Sequence, residues 1–145
     1  MPVPPTPALT TDCVVFNAKG ELLLVKRGNE PFKGAYALPG GFVEVGEEVE
    51  AACRRELKEE TGVEFDGEPL LIGVYSDPTR DPRGHTVSIA YLALVERADA
   101  VAGDDAASAE WISDFAKLDL AFDHKEIVRS ALALMVAMRR PLGSL

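Results

Sequence analysis

The 145-residue chain has little of several things. Its two cysteines, Cys13 and Cys53, sit in apolar surroundings, so no disulfide framework supports it. They read as buried reduced thiols of a cytoplasmic protein, with a single bridge as the alternative. Long apolar runs are absent: the longest, Ala131–Met138, falls far short of the roughly 18 residues that span a bilayer. No membrane association is expected. The opening MPVPPTPALTTD has neither the basic start nor the apolar stretch of a secretory signal. Positive charge is scarce, with 15 Lys+Arg against 24 Asp+Glu and a net −9. A surface this acidic repels phosphate polymers, which argues against a nucleic-acid partner. A small phosphorylated ligand requires something to screen the acid, and a divalent cation would do so.

What is present is an ordinary globular composition, 47% hydrophobic and 27% charged. Such a chain buries about two thirds of its unfolded surface and needs no metal merely to fold. Residues 1–8, rich in proline, read as an extended tail, and residues 9–145 as one domain. Cys13–Phe16 and Leu22–Val25 flank Asn17-Ala18-Lys19-Gly20, which predicts a hairpin. Short strands are expected at Tyr36–Leu38 and Phe42–Val43 around a turn at Pro39-Gly40-Gly41. The stretch Glu48–Thr61 lacks Gly and Pro, and Val49, Ala52, Cys53 and Leu57 recur at helical spacing. It predicts a helix closed by Gly62 in the left-handed conformation. Leu70–Tyr75 and Thr86–Val95 read as strands, Asp99–Ala109 as a flexible acidic loop and Ala109–Ile112 as a short strand. Asp123 with Glu126 forms a capping box opening a last helix that runs to about Arg139. The apolar second half of that helix predicts deep burial or a subunit contact. Together these elements make an α/β or α+β sandwich, a mixed sheet covered on both faces.

The chemistry concentrates in GFVEVGEEVEAACRRELKEETGV, Gly41–Val63. On a helix, Glu56 lies three residues before Glu59 and four before Glu60, so three carboxylates share one face within a turn. Such pairs cost some tenths of a kcal/mol each, and the C-terminal end of the helix dipole adds to the cost. Arg55 can pair with Glu59 but cannot neutralise all three. For each glutamate alone, a solvated face is the plain reading. For the three together, a bound cation accounts for the arrangement. Hard oxygen ligands select Mg²⁺, Mn²⁺ or Ca²⁺ over zinc.

The spacing Gly41, five residues, Glu47, seven residues, Arg55-Glu56-Leu57-Lys58-Glu59-Glu60-Thr61-Gly62-Val63 resembles the Nudix box at every defining position. At average residue usage, seven identities and two apolar positions coincide at roughly one start point in 10⁸. The resemblance implies a Nudix-type α/β/α sandwich with a mixed central β-sheet. It also implies hydrolysis of a nucleoside diphosphate linked to a further group. Glu56, Glu59 and Glu60, with the backbone carbonyl of Gly40, would ligate Mg²⁺, with Mn²⁺ as a substitute. Arg55 and Glu47 would orient them, and Arg55 is counted with the catalytic residues. The family often adds one acid from a later loop; Asp104, Asp105 and Glu110 are candidates, and Asp105, six residues before Trp111, fits best. Many relatives are homodimers, and the apolar last helix permits the same here.

Substrate choice rests on other segments. Arg27 precedes the glycine-bounded loop Gly28–Gly34 and could contact phosphate. The loop Ser76–His85 carries Arg80, Arg83 and stiffening prolines, a cationic patch suited to reading substrate. It resembles the ADP-ribose pyrophosphatase subgroup, with Pro78 falling 16 residues after Gly62, as does Ala121–Ile127. Phe32 and Tyr36 are candidates to stack on a base, whereas Phe16 reads as core. His85 and His124 read as structural. The expected activity is conversion of ADP-ribose to AMP and ribose 5-phosphate. The alternatives are a pyrophosphohydrolase of oxidised nucleoside triphosphates and a non-catalytic nucleotide-sensing module.

Overall fold

A computed structural model describes residues 2–96 and 106–139. The chain order is β1 (Ala8–Phe16), β2 (Leu22–Arg27), β3 (Tyr36–Ala37), β4 (Gly40–Phe42), α1 (Val49–Thr61), β5 (Leu70–Tyr75), β6 (Thr86–Leu94), β7 (Ala106–Ile112), a 3₁₀ turn at Phe115–Lys117, and α2 (His124–Met138). The sheet runs β3-β2-β1-β6-β5, with β4 also paired to β1 and β7 to β2. It is mixed: β1 and β6 are parallel from Ala8↔Thr86 to Phe16↔Leu94, and the other pairs are antiparallel.

Alternation along the strands builds two cores. Val14, Phe16, Leu22, Leu24, Ala90 and Leu92 face α2, where they meet Ile127, Val128 and Ala131. Cys13, Val15, Leu23 and Ala93 face α1 and meet Cys53 and Leu57. Each fully buried Leu, Ile or Val contributes about 1.5–3 kcal/mol. The result is the expected α/β/α layering. Among the described residues no helix is long and apolar enough to cross a membrane.

Several boundaries differ from expectation. The first strand spans nine residues from Ala8, because its partner is β6 along its whole length; the hairpin contact with β2 is limited to Phe16↔Leu22. Gly40 and Gly41 are not a turn but belong to β4, opposite Asp12 and Thr11. The end of the expected acidic loop, from Ala106, is strand, because β2 pairs with it from Leu22↔Ile112 to Arg27↔Ala106. The α1 helix ends as expected on Gly62, at φ 73°, whose N–H bonds the Lys58 carbonyl. The α2 capping box does not form: Asp123 makes no side-chain cap bond, since Arg80 takes its carboxylate. Nor is the second half of α2 deeply buried, with Leu132, Val136 and Met138 at 38%, 59% and 50% exposed. Both cysteines are free and buried, and the Cys13 thiol donates to the Cys53 carbonyl at 3.4 Å.

Candidate active site

Two glycines let β4 lie where it does. A Cβ on Gly40 would sit 2.2 Å from the Thr11 carbonyl oxygen, and one on Gly41 would sit 2.6 Å from the Glu56 carboxyl carbon. Glycine therefore brings the β4 backbone against β1 on one side and the α1 carboxylates on the other.

Arg55 organises those carboxylates. Its Nε and Nη2 grip Glu47 at 2.7 and 3.0 Å, and Nη2 also donates to the Phe42 carbonyl at 3.1 Å. Nη1 reaches Glu56 at 2.9 Å and Glu59 at 3.2 Å. The Arg55 hydrogen bonds, with help from the Glu44 backbone, hold the Glu47 carboxyl down to about 2. Glu56 and Glu60 behave oppositely. Burial pushes Glu60 up to about 9, the Glu56 charge and the hydrogen bond between the two carboxyls push the same way, and the Gly40 backbone only partly opposes them. Burial likewise raises Glu56, against its bonds to Glu60 and Arg55.

The expected trio is thus only partly assembled. Glu56 and Glu60 meet beside Gly40, but Arg55 draws Glu59 toward solvent, where its side chain is 56% exposed against 14% for Glu56. Among the described residues no three His, Cys, Asp or Glu side chains converge on one point. Even so, the donor set fits a hard dication. Two half-buried carboxyls can bond each other only by sharing a proton, and a cation between them would replace that proton.

From this acidic end a cavity lined by Val25, Arg27, Leu38, Gly40 and Glu60 adjoins a second one. The second shares Arg27, Leu38 and Gly40 and extends past Phe42, Arg83 and Phe122. Here the guanidinium carbon of Arg27 stands 5.0 Å from the Phe122 ring centroid, and that of Arg83 stands 5.3 Å from Phe42 and 5.8 Å from Phe122. Two cations on one ring disfavour each other; burial first, and then the charge of Arg83, lower the Arg27 pKa. An anion between them would relieve that. Phe32 packs edge-on against Phe122, with centroids 4.8 Å apart, at the border of the cavity.

Two substrate candidates are engaged by other side chains. Arg80 lines the cavity, but its guanidinium is committed: Nε and Nη2 bind Asp123 at 2.9 and 2.6 Å, and Nη1 donates to Thr86 at 3.0 Å. Its side chain is 4% exposed, against 45% for Arg83. It is a buried structural ion pair rather than a free phosphate reader, because Asp123 at the start of α2 faces it. Tyr36 pairs opposite Lys26, packs against the α2-side core, and donates its hydroxyl to Glu110 at 2.7 Å. It lies outside the cavity, and Glu110 is held by it. Asp104 and Asp105 lie outside the described residues.

A buried polar network beneath the cavity was not foreseen. Asp12 accepts from Ser88 Oγ, lies 3.3 Å from His124 Nε2, and lies 3.8 Å from Arg80. Burial works against the Asp12 carboxylate, but His124, Ser88 and Arg80 together hold its carboxyl below the usual range. The available signal was a lone acid directly before the apolar run Cys13–Phe16, since a charge in a buried strand requires partners.

Comparison with known proteins matches this geometry to one family. Residues 6–131 match the family described as NUDIX domain. The chain is 49% identical over 123 residues to an ADP-ribose pyrophosphatase of Methanocaldococcus jannaschii, covering 85% of this chain and 72% of that protein. It is 37% identical over 139 residues to the ADPR responsive transcriptional repressor NtrR of Acinetobacter baylyi, covering 89% of this chain but only 54% of that protein. The NUDIX domain of Shewanella oneidensis NrtR, solved with ADP ribose, superposes with a TM-score of 0.85 at 29% identity, covering 90% of each chain.

Proposed function

The chain belongs to the NUDIX family, and from that premise we propose that it is a Mg²⁺-dependent hydrolase converting ADP-ribose to AMP and ribose 5-phosphate. The observation that carries this reading is the polarity of the cavity. Carboxyls gather beside Gly40 at one end, and two arginines converge on an aromatic ring at the other. The similarity to the Methanocaldococcus pyrophosphatase supports the same substrate class.

Glu56, Glu59 and Glu60, with the Gly40 carbonyl, would hold Mg²⁺, or Mn²⁺ in its place. When bound, the ion would neutralise diphosphate charge and acidify a water for attack on phosphorus. Water adds to one phosphorus, the P–O–P bond breaks, and the two phosphate products and a proton leave. Arg55, fixed by Glu47, orients Glu56 and Glu59 and limits their mutual repulsion. Arg27 and Arg83 neutralise the oxygens of the diphosphate, and their positioning supplies most of what phosphoryl transfer needs. Phe122, Phe42 and the bordering Phe32 offer faces for a base. The buried free thiols support a reducing, cytoplasmic setting, and exposed Leu132, Val136 and Met138 support pairing with a second copy.

Incubating the protein with ADP-ribose and Mg²⁺ and resolving the products by chromatography tests this reading. AMP with ribose 5-phosphate is the expected result. No AMP over a broad pH and metal range rejects the substrate, and pyrophosphate release from nucleoside triphosphates would assign the other hydrolytic class. A second reading has its own support in the Acinetobacter repressor: an ADP-ribose-binding module. Tight binding of ADP-ribose without turnover in Mg²⁺ or Mn²⁺ would favour it.

A further inference from the structure

His124 is 4% exposed and uses both ring nitrogens. Its Nδ1 accepts the Leu38 backbone N–H at 3.0 Å, and its Nε2 faces Asp12 Oδ1 at 3.3 Å. A nitrogen that accepts carries no proton, so the ring is the Nε2–H tautomer and donates to Asp12. Asp12 in turn is held by Ser88 and Arg80, and Arg80 also clamps Asp123, the residue before His124. Every part of the ring's orientation is therefore over-determined. What the ring holds is Leu38, two residues before Gly40. Gly40 lies opposite Asp12 in β4, has no room for a Cβ, and touches Glu60 through its backbone. The network thus connects α2, β1, β6 and the loop before β6 to the backbone that meets the α1 carboxylates.

We propose that His124 is a positioning residue of this site: its Nδ1 lone pair, held in place by Asp12, anchors the Leu38 amide and so sets Gly40 against Glu60 for cation binding. This rests on the metal-dependent reading above. Arg80 and Ser88 act one step further out, keeping Asp12 charged and the ring in its tautomer. Groups that orient a site from behind in this way typically change metal affinity by about 10–100-fold when removed.

Two substitutions separate the ring's two bonds. His124→Asn keeps an acceptor near the Nδ1 position, whereas His124→Gln places its amide near Nε2 and leaves Leu38 without an acceptor. Mn²⁺ affinity is read by calorimetry on the full chain, and turnover is read against Mn²⁺ concentration. His124→Gln should weaken Mn²⁺ about 10-fold or more, with turnover recovering at saturating Mn²⁺, while His124→Asn recovers to within about 3-fold of wild type. Wild-type affinity in His124→Gln overturns the proposal, as does equal weakening of both variants in step with a fall in Tm. Should a variant not fold, NMR of the wild type decides. Mg²⁺ should shift the Leu38 amide and the His124 ring nitrogens with the same midpoint as Gly40, and unmoved signals overturn the proposal. Glu60→Gln is the control for the underlying reading. If the wild type binds no Mn²⁺, or Glu60→Gln leaves binding intact, that reading and this proposal both fail. If Glu60→Gln weakens binding and His124→Gln does not, this proposal alone fails.

Discussion

Adding one methyl group to either of two adjacent glycines should have opposite consequences. In Gly40→Ala the new Cβ would meet the Thr11 carbonyl oxygen at 2.2 Å and the Asp12 Cα at 3.0 Å. Both are backbone, in the strand at the centre of the sheet, and cannot rotate aside. Overpacking of this kind costs about 1–3 kcal/mol, and a backbone clash belongs at the upper end. At about 2–4 °C per kcal/mol for a domain near this size, Tm should fall by roughly 6–12 °C. In Gly41→Ala the three atoms nearest the new Cβ all belong to the Glu56 carboxyl, at 2.6–2.8 Å. That group is the end of a flexible side chain and can swing away. The lower entropy of the unfolded chain returns about 0.4–1 kcal/mol, so Tm should stay within about 3 °C of wild type. The displaced carboxyl no longer meets Glu60, and a misplacement near 1 Å costs about 10²-fold in turnover. Thermal melts and release of AMP from ADP-ribose measure the two effects. Wild-type turnover in Gly41→Ala, or a wild-type melt in Gly40→Ala, would refute the reasoning.

Glu60 binds its proton more tightly folded, up to about 9, than at its usual 4.5. The folded state therefore holds the extra proton, and without divalent cation stability should fall as pH rises from about 4.5 to about 9. Melts in EDTA across that window should show this slope, Glu60→Gln should flatten it, and Mg²⁺ at high pH should restore stability; a flat wild-type profile contradicts the cause. The same Glu60→Gln, like Glu59→Gln, should cut turnover by orders of magnitude while the melt at neutral pH stays near wild type, because Gln replaces a protonated carboxyl at Glu60 and removing a like charge at Glu59 costs the helix little. Arg80→Ala should destabilise by about 3–5 kcal/mol, because it strands the carboxylates of Asp123 and Asp12. Arg83→Ala strands one carboxylate, Asp81, which keeps the Arg83 backbone N–H as a donor, so it should lower the melt less than Arg80→Ala and raise KM for ADP-ribose; equal melts for the two arginine variants would dispute their separate roles.

Whatever depends on neighbours a few residues apart was legible in the chain alone. The helix over Val49–Thr61, its Gly62 cap and the Arg55–Glu59 pair follow from i, i+4 spacing and the left-handed freedom of glycine. The same spacing placed Glu56 and Glu60 together. The rest was set by contacts between distant segments. The length of β1 came from a partner far along the chain, β6, and no local propensity reports that pairing. Arg80 and Arg83 look alike in one loop and both line the cavity, yet the first is buried on Asp123 at 4% exposed while the second, paired with Asp81, keeps 45% of its side chain exposed. Glu59 and Glu60 are adjacent, but Arg55 turns one outward while burial beside Gly40 holds the other in. A charge's role depends on which distant groups surround it, because the cost of desolvation and the partners that offset it are both set by the fold.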